Sequence, residues 1–189
     1  SFVPKIDLDK IKSLKYLEIK YKIKKNFLYI PNQFWKHKNH LILVKAIKRL
    51  KDKKLKFKIV LTGDSKSQKD KTVFYKFISE IKIKKLDNFF LYLGKVSYSD
   101  LINLINQSNA LINPSLFEGW STSVEEAKIL DKKILLSNIK VHKEQNPKKS
   151  YYFKVHTFRP KPCRNQLNNK INRKTCSKTV KNTIKHSFV

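Results

Sequence analysis

Two carboxylates, Glu118 and Glu126, bracket a short polar stretch that reads "EGWSTSVEE". Between them stand Gly119 and Trp120, then three hydroxyls, Ser121, Thr122 and Ser123. A carboxylate clasps vicinal hydroxyls well, because it offers two acceptor oxygens. A polar turn that opens a helix presents unpaired amides and about half a positive charge, which suits an anion such as a diphosphate. The spacing puts Glu126 in the first helical turn and Glu118 ahead of it, facing the two ends of one ligand. Ser123-x-x-Glu126 is also a capping box, and capping can coexist with ligand binding.

The surrounding pattern places this stretch. "FLYI" (27–30), "FKIVLT" (57–62), "FFLYL" (89–93), "ALIN" (110–113) and "ILLS" (134–137) read as five short buried strands. Helical periodicity separates them. Asn39 to Lys51 turns Leu41, Val44, Ile47 and Leu50 to one side, and Lys69 to Lys84 uses Val73, Phe77 and Ile81. A third helix buries Leu101, Leu104 and Ile105 and opens on the capping box Ser97-x-x-Asp100. A fourth runs from about Ser123 to Leu130. Strands alternating with helices predict an α/β fold: a Rossmann-like parallel sheet with helices on both faces. Such sheets bind ligands at the carboxyl ends of their strands. The loops after Ile30, Thr62, Leu93 and Asn113 all fall there.

Three segments are expected: residues 1–26 as a linker or partial element, 27–153 as the binding domain, and 154–189 as an irregular basic tail. Within the first, "DLD" (Asp7 to Asp9) spells a metal-binding triplet with no strand before it, which reads as chance. Residues 151–189 hold ten Lys or Arg, both cysteines and no Asp, Glu, Gly or Ala. Composition changes abruptly near Phe153. Either a solvated tail or a shifted reading frame accounts for it, and the abruptness favours the second. The absence of Met and the opening on Ser1 suggest a piece of something longer.

The formal charge is +29, from 43 basic and 14 acidic residues. Nearly all the cations are Lys; Arg49, Arg159, Arg164 and Arg173 are the arginines. Base edges and phosphate forks favour Arg, and the lysines scatter through every predicted element. Nucleic acid is therefore not the expected partner. An anionic membrane surface, for which many weak charges suffice, fits better. Cys163 and Cys176 form no CxxC pair, so a zinc site is not expected. No run of 18 apolar residues spans a membrane, and no basic-then-apolar leader is visible. The expected location is the cytoplasm, with peripheral contact at the inner membrane face.

The blocks "YIPNQFWKHKNHLILVKAI" (29–47), "IVLTGDS" (59–65), "LGKVSYSDLINLINQSNALINPS" (93–115) and "NPSLFEGWSTSVEEAKILDKKILLSNIKVHKEQ" (113–145) resemble, in order and spacing, glycosyltransferase family 4 of the GT-B fold, with its E-x7-E motif. The resemblance covers about residues 20–153. It implies the carboxy-terminal, donor-binding half of a truncated enzyme that handles a nucleotide diphospho-sugar, with retention and no required metal or cofactor. Glu126 would hold the nucleotide ribose, and Glu118 the transferred sugar. Residues Gly119 to Ser123 would meet the phosphates, and Lys38 would neutralise the diphosphate, with Lys36 as runner-up. Gly63 matches a Gly-rich turn, and Gly94 to Val96 a loop that packs by the base.

Asn32 and Gln33 depart from the family, standing where many relatives carry an Arg. His37 and His40 read as solvated loop histidines, and Trp35 and Trp120 suit either sugar packing or loop anchoring. The amino-terminal acceptor domain is missing, so the chain is expected to bind a donor but transfer little alone. The implied setting is surface-polysaccharide or lipopolysaccharide assembly. The alternative is a basic binding module for an anionic membrane surface or nucleic acid.

Overall fold

In the central strands successive buried apolar residues join opposite cores, because both faces of the sheet are covered. In the strand Phe27–Ile30 (β1) all four side chains are fully buried. Phe27 and Tyr29 join one core; Leu28 and Ile30 join the other. Ile59 and Leu61 of Lys58–Leu61 (β2) share the second core, while Val60 faces the first. The computed structural model describes residues 5–50, 56–65 and 71–155.

The remaining strands are Phe90–Tyr92 (β3), Ala110–Asn113 (β4), Ile134–Ser137 (β5) and Ser150–Phe153 (β6). All pair in parallel, in the order β3-β2-β1-β4-β5-β6. The sequence reading ends the sheet at five strands. The structure adds a sixth, "SYYF", a four-residue polar-aromatic edge in which only Phe153 is buried, so it carries no apolar run.

Helices cover both faces. Leu41–Leu50 (α2) and Lys71–Ile83 (α3) lie over one core, with Val44, Ile47, Leu50, Phe77 and Ile81 buried as the periodicity predicts. Val73 of the expected α3 seam is only half-buried; Phe74 and Ile78 pack against the core instead. Leu14–Tyr21 (α1), Tyr98–Gln107 (α4) and Thr122–Ile129 (α5) serve the other core, through Leu17, Leu104, Ile105, Val124 and Ala127. A short helix, Lys140–Gln145 (α6), leads into β6. Among the described residues, no helix is long and apolar enough to cross a membrane. The expected tail beyond residue 155, with both cysteines, lies outside the described residues.

One polar node ties α1 to α4. Asp100, 2 % exposed, accepts from Tyr16 Oη at 2.8 Å, Tyr21 Oη at 2.8 Å and Lys20 Nζ at 2.7 Å. The expected capping box is formed as well: Ser97 Oγ accepts from the Asp100 amide at 3.1 Å and donates to its carboxylate at 2.9 Å. Burial pushes the Asp100 carboxyl up, but Lys20, Tyr21, Tyr16 and Ser97 outweigh it and hold it at about 2.

That value lies below the ordinary 3.8 of an unfolded chain. The stabilisation is therefore complete above about pH 4 and vanishes as pH falls through 2. Asp100→Asn is expected to remove about 2 kcal/mol at pH 7. It should also flatten the loss of stability between pH 4 and 2, as followed by urea denaturation across that range.

Candidate active site

The strand order reverses between β1 and β4. The loops leaving these two strands diverge there, opening a crevice at the carboxyl edge. After β1 the chain passes Pro31 and makes a tight turn over Lys36–Lys38. Asn39 ends the turn at φ 55°, a left-handed conformation that Asn tolerates well. Its side chain donates to the Pro114 carbonyl in the loop after β4, at 3.2 Å. The Leu116 amide donates back to the His37 carbonyl at 2.7 Å. These bonds fix the two loops against each other.

Across this split, Lys38 Nζ lies 2.6 and 2.8 Å from the two oxygens of Glu118. Both side chains are largely shielded, at 13 % and 8 % exposure. Asn113 Nδ2 donates to Glu118 Oε1 at 3.3 Å. Ser115 Oγ lies 2.7 Å from both Glu118 Oε1 and Asn113 Oδ1, so its single proton serves one acceptor at a time. Burial pushes the Glu118 carboxyl up, but Lys38 and Ser115 overcome this and hold it below the ordinary value. Glu118 is thus an ionised carboxylate facing a cation.

Beyond Glu118 the loop enters α5. Ser121 is the N-cap, and its side chain bonds none of the helix amides. Asn113 Nδ2 holds its hydroxyl at 2.9 Å, and Ser123 Oγ lies 3.2 Å away. This corrects the expected capping box: Ser123 is the helix's second residue, Glu125 is the first-turn acid, and Glu126 belongs to the next turn. Glu125 is paired with Lys128 at 3.0 Å and accepts from Gln145 at 2.8 Å.

Glu126 is 5 % exposed. Burial pushes its carboxyl up, and a hydrogen bond with the Tyr98 hydroxyl offsets part of that rise. The same contact and burial raise Tyr98 to about 12. Tyr98 has no role in the sequence reading, although it sits two residues past Val96 in a block already implicated.

The glycines differ in what they permit. Gly63 has φ 137°, and a Cβ there would meet the Asn32 carbonyl oxygen at 2.6 Å. Its amide donates to the Gly94 carbonyl at 3.0 Å, and Gly94 has φ 74°. The loops after β1, β2 and β3 therefore nest. Gly119 faces open space.

Asn32 is buried and donates to Asn113 Oδ1 at 3.3 Å, while Gln33 Oε1 accepts from the Asp64 amide at 2.7 Å. Both side chains stitch loops together.

Lys36, Trp35, Trp120 and Thr122 are exposed at this edge, and Val96 is half-buried. Trp35 lies 5.5 Å from the His37 ring, centre to centre. His40 is not a solvated histidine. It is 1 % exposed and stacks on Phe34 at 4.4 Å, and burial lowers it to about 3. The turn draws it inward at the start of α2, so it is a neutral core ring. The Asp7 carboxylate is engaged in a local turn: it accepts from the Asp9 amide at 3.2 Å and pairs with Lys10.

His142 supports the site from beneath. Its Nδ1 lies 3.0 Å from the Ser137 carbonyl, which requires Nδ1 to donate. Ser137 Oγ in turn donates to the Ser115 carbonyl at 2.5 Å, below Glu118. Sequence offers no periodicity that marks His142, since α6 has only six residues.

An open parallel sheet that divides between β1 and β4, with helices on both faces, is a Rossmann-like α/β fold, and it matches one half of a GT-B fold. Solved structures that resemble this chain agree in fold. A glycosyltransferase from Rickettsia africae ESF-5 superposes with a TM-score of 0.71 at 20 % identity, over 97 % of this chain and 42 % of that one. Anabaena Alr3699/HepE, in complex with UDP-glucose, gives 0.61 at 16 %, over 74 % and 36 %. Sucrose-phosphate synthase from Thermosynechococcus elongatus gives 0.58 at 15 %, over 71 % and 33 %. The chain thus spans less than half the length of each. No curated protein matches it in sequence. Residues 17–174 match the family described as "Glycosyl transferases group 1", and the chain belongs to that family.

Lys38→Met would strand a shielded carboxylate, and is expected to lower stability on the order of 3 kcal/mol at pH 7. Lys38→Met combined with Glu118→Gln should recover most of that loss in urea denaturation. A double variant no more stable than the single one would show that the pair does not carry the effect.

Proposed function

We propose that this chain binds a nucleotide diphospho-sugar in the crevice between the β1 and β4 loops, as the donor half of a glycosyltransferase. The observation that carries this reading is the Lys38–Glu118 pair at the strand-order reversal. It sits beside a helix start whose N-cap side chain is engaged elsewhere. The α5 amides and Lys38 supply positive potential for a diphosphate. Glu118 accepts from hydroxyls of the transferred sugar, and Glu126, deeper in α5, accepts from the ribose diol. Trp120, Ser121, Thr122 and Ser123 line the phosphate turn around Gly119. Gly63, Asn32 and Lys36 border it, and Gly94 to Val96 flank the base.

During transfer the bond from the anomeric carbon to the diphosphate breaks, and its electron pair leaves on a phosphate oxygen. A fixed ammonium at that oxygen lowers the barrier, because it is stronger there than against the ground state. The acceptor hydroxyl oxygen forms the new bond to the anomeric carbon, and its proton passes to the departing diphosphate. In this reading the acceptor site belongs to a separate amino-terminal domain. Retention of configuration, independence of metal, and a role in surface-polysaccharide or lipopolysaccharide assembly follow the family resemblance. UDP-glucose bound to Anabaena HepE supports the donor class.

A thermal-shift screen with UDP, GDP and their sugars is expected to stabilise the wild-type chain with at least one of them. Glu126→Gln should weaken that ligand about ten- to hundredfold, the worth of hydrogen bonds to a charged acceptor. Wild-type binding should fade on acidification before an ordinary carboxylate titrates, because burial raises Glu126. Equal binding by wild type and Glu126→Gln would refute the assignment.

A further inference from the structure

Ten of the lysines that are scattered in sequence gather at one edge of the sheet. Lysine pairs precede three of the strands: Lys24 and Lys25 before β1, Lys132 and Lys133 before β5, Lys148 and Lys149 before β6; Lys56 precedes and Lys58 opens β2, and Lys84 and Lys85 close α3 ahead of the turn Asp87–Phe89 that leads into β3. Strands of a parallel sheet all begin at one edge, so these ten cations share the amino-terminal edge, opposite the crevice. Cross-strand bonds keep their backbones adjacent: the Ile134 amide donates to the Lys149 carbonyl at 2.8 Å, and the Leu111 amide to the Lys133 carbonyl at 3.0 Å. Lys25, Lys132, Lys133 and Lys149 line one hollow of about 400 Å³.

Some of these charges are engaged. Lys84 pairs with Glu80, Lys149 pairs with Asp131, and Lys132 donates to the Asn106 carbonyl at 2.7 Å. Among the described residues, Lys24, Lys25, Lys133 and Lys148 form no ion pair. Asp87 and Asp131 are the carboxylates closest in sequence to these strand starts, too few to neutralise the edge.

We infer that this amino-terminal edge docks on an anionic lipid surface. The complementarity is one of charge. Lysine ammoniums are compact, strongly hydrated and lack the planar fork that reads phosphates in nucleic acid. Near an anionic bilayer many such charges add, each weakly. Docking by this edge turns the crevice away from the lipid, where a soluble ligand reaches it. The inference does not depend on what the crevice binds.

The test is co-sedimentation of the full chain with vesicles of phosphatidylcholine alone, or mixed with phosphatidylglycerol. Wild type is expected to bind only the anionic vesicles and to be released by salt. Lys25→Gln/Lys133→Gln/Lys148→Gln should lower partitioning about hundredfold, at roughly fivefold per lysine. Lys45→Gln/Lys48→Gln/Lys76→Gln removes the same charge from exposed positions of α2 and α3, and should stay within about threefold of wild type. Matched circular dichroism and melting temperatures establish that both variants fold. Equal losses in the two variants, no binding to anionic vesicles, or edge-dependent binding of duplex DNA in preference to vesicles would each overturn the inference.

Discussion

An ammonium facing a carboxylate across a divided sheet is the constraint on which this crevice rests. Lys38 and Glu118 come from loops 80 residues apart in the chain, and only the reversal of strand order between β1 and β4 brings those loops together. Neither charge is well solvated, so each needs the other or a ligand that replaces it. The surrounding groups all serve this pair. Asn113 and Ser115 hold the carboxylate, Asn39 and the Leu116 amide bind one loop to the other, and Ser137 with His142 underpins Ser115. A diphosphate placed near Lys38 would compete with Glu118 for the same cation, freeing the carboxylate to accept from hydroxyls.

Much of the fold was legible because both faces of the sheet are buried. Five apolar runs separated by helical periodicity leave few alternatives, and β5 coincides with the run "ILLS". What escaped was short or polar. β6 presents one buried side chain, and α6 spans fewer than two turns, so neither carries a readable period. The acid pair was legible from spacing, but its setting was not. Sequence could not reveal that α5 begins with Ser121 rather than Ser123 as its N-cap, which puts Glu126 in the second turn, nor that Asn113 holds the Ser121 hydroxyl. Nor could it separate His40 from His37. Stacking on Phe34 depends on how the turn at Lys36–Lys38 redirects the chain.

Charge was the least legible property, because lysine is abundant everywhere in the sequence. Topology sorts it. At the carboxyl edge, cation and carboxylate are matched and held by neighbours; at the amino edge, lysines gather with few acids among them. The same parallel arrangement produces both edges, since it collects every strand start on one side and every strand end on the other. Asp100 illustrates a third use of charge. There a single carboxylate gathers two phenols, an ammonium and a serine to fasten α1 onto α4.

The most direct measurement is a crystal structure of the chain soaked with the nucleoside diphosphate that shifts its melting temperature most. The account requires the diphosphate oxygens within hydrogen-bond distance of Lys38 Nζ and the first amides of α5, with the ribose hydroxyls on Glu126. A nucleotide seated elsewhere, with Lys38 and Glu118 still clasped together, would contradict it.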